Sequence, residues 1–423
     1  MINLRMLMVY TCLSLSYTAT AQAPDAPLTL PECQSLALAN YPLIKQRGLI
    51  ALRAQHEREQ ANMGYLPQIS LGGHATYQSD VTRIPLELPG VNMPMLDKDQ
   101  YKLYGELTQI LFDGGAIKHQ KAAAEAEAAV EAHALEVELY KIRERVNQLF
   151  FGILLLDAQL KQNELLQQDL RLGLDKTNAA IANGTALRSS GDLLKAELLR
   201  AEQHRTEIRA SRQANLMVLG RLINRPLNEH TVLEKPQAPS PPAGTHRPEL
   251  DWYASQQNRI EANRRLLTAK YLPKLSFFLQ AGAGRPALNL LSNAFDPYYY
   301  GGIRLAVPIS GLYTLKKEKA VLEDKARSIN VQRENFLFNN ELKLTQENTE
   351  SAKYARLLET DDEIITLRTS VKETALAQLE NGVIHPADYL REVNAEDQAK
   401  LAKMLHELQW LITQYNIQHT TGN

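Results

Sequence analysis

The chain has 423 residues, of which 44% are hydrophobic and only 6% aromatic, and its formal net charge is −1. A balanced charge excludes the basic surface that nucleic-acid binding needs. Abundant Ala, Leu, Glu, Gln, Lys and Arg favour long helices packed through narrow seams over a thick compact core.

The first residues predict export. Arg5 precedes an apolar stretch from Met6 to Leu15, and Ala19-Thr20-Ala21-Gln22-Ala23 offers A-x-A cleavage after Ala21 or Ala23, so 1–21 is expected to be a signal peptide. Lipoprotein processing at Cys12 is the weaker alternative, because Tyr10 and Thr11 make a poor lipobox. Cleavage would leave Cys33 as a lone, buried thiol without a disulfide partner or a metal role.

Pro31 to Asn62 predicts a helix with a break near Pro42 or Gly48, stopped by Gly64 and Pro67. The period then changes to two. Ile69, Leu71, Ala75 and Tyr77 alternate with Ser70, His74, Thr76 and Gln78, predicting a strand over about 68–78. A Pro-rich loop at 84–94 follows, then a second strand over about 100–111, with Leu103 and Leu107 against Lys102, Tyr104 and Glu106. From Ala116 to Ala182 no Pro occurs, so one very long helix is expected, ending at Asn183-Gly184. A return helix runs from about Asp192 to Ile223. Leu149 to Leu156 is too short to span a bilayer and reads as a buried patch.

The same order then repeats. Tyr65-Leu66-Pro67-Gln68-Ile69-Ser70 returns as Tyr271-Leu272-Pro273-Lys274-Leu275-Ser276, and Asn183-Gly184 as Asn381-Gly382, about 200 residues later. The expected organisation is a first unit at 24–234, a Pro-rich connector at 235–245, and a second unit at 246–423. The second unit has strands over about 274–284 and 298–309, a long helix from Tyr313 to Glu380 and a return helix from Ala387 to Ile417. Tyr298-Tyr299-Tyr300 would suit an aromatic girdle at a membrane interface. A half-buried hairpin in a soluble protein would show the same alternation.

Four membrane strands cannot close a barrel, and open edges in lipid leave backbone groups unpaired, so strands in a membrane require several copies. Two copies would give eight strands and three would give twelve.

The order of helix, YLPxxS strand, strand ending Leu111-Phe112-Asp113-Gly114-Gly115, long helix, Asn-Gly turn and helix, performed twice, resembles the TolC-like outer membrane efflux proteins. Leu28-Thr29-Leu30 and Leu36 to Pro42 are similar to that family's mature N-terminus. The resemblance implies a mainly α fold with a small transmembrane β part. In it, a homotrimer forms a 12-stranded barrel in outer membrane lipid, continued by an α-helical periplasmic tube. The implied function is a passive exit duct of a tripartite efflux or type I secretion system, partnered by a periplasmic adaptor and an inner-membrane transporter. It also implies that Gly184 and Gly382 lie at the periplasmic tip where the adaptor docks, and that acidic residues after them ring the entrance. Asp388 fits that spacing; Asp192 fits only if Ser190-Gly191 is a small insertion. The alternative for both is an ordinary helix N-cap. Some members hold the tip closed with a Tyr before and an Arg after the second Gly; here those places are Leu379 and Ile384.

No catalytic, cofactor or metal constellation emerges. His56-Glu57 begins like a zinc-protease helix, but Gln60 stands where the second His belongs. Gly282-Ala283-Gly284 lacks a nucleotide-site context, and Asp361-Asp362-Glu363 reads as a solvated helix face. The rival function is a periplasmic adaptor scaffold, which would show a single helical hairpin flanked by β-rich domains.

Overall fold

A computed structural model describes residues 27–82, 96–241, 244–289 and 292–423. The expected signal peptide, the Pro-rich loop at 84–94 and part of the connector lie outside the described residues.

The elements run α1 (Leu30–Asn40), α2 (Gln46–Met63), β1 (Gln68–Tyr77), β2 (Asp99–Phe112), α3 (Ala116–Ala182), α4 (Arg188–Ile223), α5 (Pro248–Lys270), β3 (Lys274–Arg285), β4 (Asp296–Ala306), α6 (Leu312–Glu380) and α7 (Pro386–Thr421). The N-terminal helix breaks at Tyr41-Pro42, where a 3₁₀ turn covers Pro42–Lys45, because proline disfavours a helical residue before it. Gly48 is not the break; it sits inside α2. β4 begins and ends earlier than the 298–309 expected from alternation. Pro308 has no N–H to extend the ladder, and a 3₁₀ turn at Ile309–Gly311 leads directly into α6.

The LFDGG segment turns the chain from sheet to helix. Gly114 and Gly115 take left-handed φ values of 69° and 81°. Asp113 lies back over the turn, its carboxylate accepting hydrogen bonds from the backbone N–H of Gly115 (2.8 Å) and Ile117 (2.7 Å). Two otherwise orphaned donors at the start of α3 are thereby satisfied.

The strands form a single antiparallel sheet in the order β1-β2-β3-β4. Helices α3 and α6, of 67 and 69 residues, are each about 100 Å long. α3 folds back on α4 and α6 on α7, and these two hairpins meet through α3 and α7; α2 and α5 flank α3 nearer the sheet.

The principal core lies midway along the helices. Phe150, Phe151 and Ile153 of α3 are buried with Cys33 and Ala37 of α1, Leu216 and Leu219 of α4, and Leu408 and Leu411 of α7. The Leu149–Leu156 run is therefore a meeting point of four helices. The Cys33 thiol is fully buried, and burial, aided by Glu32, pushes it up to about 12, so it stays protonated and inert. The end of the first unit is strapped to this core where Leu28 pairs with Leu233, and the connector where the Tyr415 hydroxyl donates to the Gln237 carbonyl at 3.0 Å.

Candidate functional site

Two places in this fold can meet a membrane or a partner: the faces and edges of the sheet, and the far turns of the two hairpins.

Register defines the faces, because residues opposite one another share a side. One side carries the rows Ile69–Leu107–Leu279–Gly301, Leu71–Gly105–Ala281–Tyr299 and Gly73–Leu103–Ala283–Pro297. Among the described residues only Phe295, stacked on Tyr101, lies against this side, and most of it is bare: Ile69 is 79% exposed, Leu71 80% and Ile303 68%. The opposite side carries Ser70–Glu106–Gln280–Tyr300 and His74–Lys102–Gly284–Asp296. There Arg304 pairs with Glu106 at 3.1 Å and lies 4.6 Å from the centre of the Phe278 ring. The sheet thus has one apolar and one polar face, the alternation that membrane strands and half-buried soluble hairpins share.

The tyrosine triplet does not form a girdle as a unit. Only Tyr299 points to the apolar side; Tyr298 and Tyr300 stack on each other at 6.3 Å on the polar side, with Lys102 over the Tyr298 ring. Strict alternation along β4 dictates this outcome. Both outer strands are open: β1 pairs only with β2, and β4 only with β3, among the described residues.

The hairpin turns are built alike. Gly184 (φ 70°) and Gly382 (φ 68°) adopt the left-handed conformation. In each turn the next residue closes a 6→1 bond: Thr185 N–H to the Ala180 carbonyl (2.9 Å), and Val383 N–H to the Gln378 carbonyl (2.8 Å). These are Schellman stops, which explains the Asn-Gly pairs. Nothing lies within 4 Å of where a Cβ would sit on either glycine, so only backbone strain demands glycine there.

The two acidic residues differ in position. α4 starts at Arg188 with Leu187 in the capping position, so Asp192 stands exposed inside the helix and is not its N-cap. Asp388 is not the cap residue either. It occupies the third position of α7, and its carboxylate accepts from the backbone N–H of His385, the cap residue, at 3.3 Å. A His-x-x-Asp box was missed because cap rules look first for Ser, Thr, Asp or Asn. The structure places Asp192 and Asp388 on separate hairpins, each close to its glycine turn.

Behind the turns, apolar packing takes the places where a Tyr and an Arg were sought. Leu379 and Ile384 pack on a cluster of Leu170, Leu194, Ala375, Tyr389, Leu390 and Val393. Tyr389 is 1% exposed and fits a notch at Gly173, where an added Cβ would come within 2.6 Å of the ring.

Beside it lies a charge junction that sequence reasoning missed altogether. Lys372 of α6 reaches Asp169 of α3 at 2.9 Å and Glu396 of α7 at 2.8 Å, while Lys400 also binds Glu396 at 2.8 Å. Burial alone would raise the Glu396 carboxyl, but hydrogen bonds from Lys372, Lys400 and Thr369 outweigh it and hold the group down to about 2. The only signal in the sequence was the i,i+4 spacing of Glu396 and Lys400. Asp361 is a second correction: it is 6% exposed, bonded to His406 Nδ1 at 2.7 Å across the α6–α7 seam, and not a solvated face.

No family model and no curated protein sequence matches the chain. Solved structures do. The outer membrane protein VceC of Vibrio cholerae superposes with a TM-score of 0.68 at 16% identity, over 93% of this chain and 96% of that one. CusC, described in terms of folding and transmembrane channel formation, gives 0.70 at 13% identity over 96% and 95%. The open state of the MtrE outer membrane channel of Neisseria gonorrhoeae gives 0.67 at 16% identity over 93% and 89%.

The chain has the fold of these outer membrane channels. The likeness spans nearly the whole of both partners, so sheet, long hairpins and connector all belong to one architecture. Among the described residues no helix is long and apolar enough to cross a membrane, and no group of three or more His, Cys, Asp or Glu side chains could hold a metal ion.

Proposed function

We propose that the chain is one subunit of an outer membrane efflux channel, a homotrimer whose sheets join into a 12-stranded barrel above a periplasmic tube of helices. The observation that carries this reading is the sheet with one uncovered apolar face and two open edges. Strands of about ten residues at roughly 3.4 Å each, tilted by about 40°, span about 25 Å, the height of an outer membrane apolar band. Open edges are tolerable in lipid only if neighbouring copies pair them. Because the four strands alternate in direction, β4 of one copy runs antiparallel to β1 of the next, so closure continues the same ladder.

In this reading the apolar face meets lipid, and the Glu106, Lys102 and Arg304 side lines a wet passage. The Gly184 and Gly382 turns form the periplasmic end, where an adaptor would dock and Asp192 and Asp388 would face incoming solute. Acidic side chains at a narrow mouth favour cations over anions. An adaptor scaffold is the poorer reading, since the chain has two long hairpins and no separate β-rich domains among the described residues.

The test is direct. Purified protein should elute from detergent as an oligomer, cross-link to three copies, and conduct ions in planar bilayers. A water-soluble monomer without conductance would overturn the assignment.

A further inference from the structure

A groove of about 830 Å³ opens where the sheet meets the helices, between α3, α5 and α6. Its floor is apolar: Leu266 and Leu267 come from α5, and Val321 and Leu322 from α6. Its rim is cationic. Lys270, Lys274 and Lys317 border the floor; among the described residues Lys274 and Lys317 form no ion pair, and Lys270 lies over the Tyr271 ring within electrostatic reach of Glu318. One acid shares the rim: Glu318 accepts from the Tyr271 hydroxyl at 2.8 Å and stays a carboxylate, so the three lysines outnumber it and leave the rim with net positive charge.

Lys274 also fixes the side on which the groove opens. It is opposite Ala306 in the β3–β4 ladder, in the alternating set that includes Gln280 and Tyr300, so it stands on the polar face of the sheet. A water-facing wall seldom keeps four large aliphatic side chains at one spot, and the volume suits a drug-sized molecule.

We propose that this groove is a binding site for single-chain amphiphilic anions, with the alkyl chain on the Leu266, Leu267, Val321 and Leu322 floor and the anionic head among the lysines. The proposal rests on the channel reading above and names a class of solute that the passage takes. The floor selects for hydrocarbon through burial and the rim selects for negative charge.

The test uses the full-length protein in lipid nanodiscs with dansylaminoundecanoate, a fluorescent alkyl carboxylate, below its micellar concentration. Saturable binding is expected, displaced by dodecyl sulfate at least about tenfold more effectively than by dodecyltrimethylammonium. Lys274→Glu combined with Lys317→Glu should weaken binding at least about tenfold, and Val321→Asp should do the same through the floor. The neutral pair Lys274→Gln and Lys317→Gln should weaken it less, which guards against simple misfolding. Equal displacement by the cationic detergent, or binding unchanged in the lysine variants, would overturn the site. So would cross-linking of Val321→Cys to a second copy, since the groove would then be covered. Planar-bilayer conductance separates the two readings. Variants that conduct but no longer bind support the site, whereas protein that binds the probe and never conducts keeps the site and removes the duct.

Discussion

Glu396 and Lys372 show how much of this protein's behaviour is decided by single buried groups. Glu396 is 2% exposed and fully hydrogen-bonded, so its ionised form is favoured over that in the unfolded chain, where a glutamate titrates near 4.5. A depressed carboxyl adds stability that is present above 4.5 and is lost as the pH falls through about 2. The effect is about 3 kcal/mol at neutral pH. The melting temperature of the detergent-solubilised protein should therefore fall between about pH 4.5 and pH 2, and Glu396→Gln should flatten that slope. Lys372→Met would strip Asp169 of its lysine and leave Glu396 with Lys400 and Thr369 alone, and a loss of about 3 kcal/mol is expected in denaturant unfolding. Gly173→Ala should cost about 1–3 kcal/mol by crowding the Tyr389 ring, and Tyr389→Phe should be far milder because the notch stays filled. Of this, only the i,i+4 spacing of Glu396 and Lys400 was legible in the sequence. Asp169, Lys372 and Glu396 lie far apart along the chain, and only the meeting of α3, α6 and α7 brings them together. Asp361 illustrates the same blind spot: a run of three acids on a long helix reads as solvated until the partner helix supplies His406.

At the scale of elements the sequence spoke more plainly, and for a physical reason. Helix ends depend on local backbone chemistry, so Asn183-Gly184 and Asn381-Gly382 announced the hairpin turns, and Pro42 announced the break before α2. Gly184→Ala or Gly382→Ala should each cost about 1–2 kcal/mol, since a Cβ has room but the left-handed backbone resists it. Asparagine at the same positions should cost less, and comparison of the two variants by thermal melting checks this directly. Strand alternation likewise revealed which residues share a face, because the period of two is fixed by geometry. It misled only where composition was allowed to speak for direction: a cluster of three tyrosines suggested one belt, whereas alternation sends Tyr299 to one side and Tyr298 and Tyr300 to the other. Capping was the weaker guide. An N-cap is one of the two readings the sequence allows for both aspartates, yet α4 begins without a polar cap and α7 uses His385.

For the molecule as a whole, the uncovered face predicts a one-sided response to charge. Leu71→Arg places a cation on the exposed apolar side and should cost about 2–4 kcal/mol if that side meets hydrocarbon. Ser70→Arg, one residue earlier and on the other side, should be tolerated. The yield of detergent-stable oligomer recovered from outer membranes measures both, and similar losses for the two variants would contradict the assignment of faces.

The even number of strands carries a further implication. A ladder whose last strand always offers the right polarity to the next arrival has no seam, and so contains no information about when to stop. Hydrogen bonding at the rim would accept a second, third or fourth guest with equal readiness. If copies join as proposed, the count is set lower down, by the wedge angle at which the hundred-ångström hairpins of adjacent copies abut.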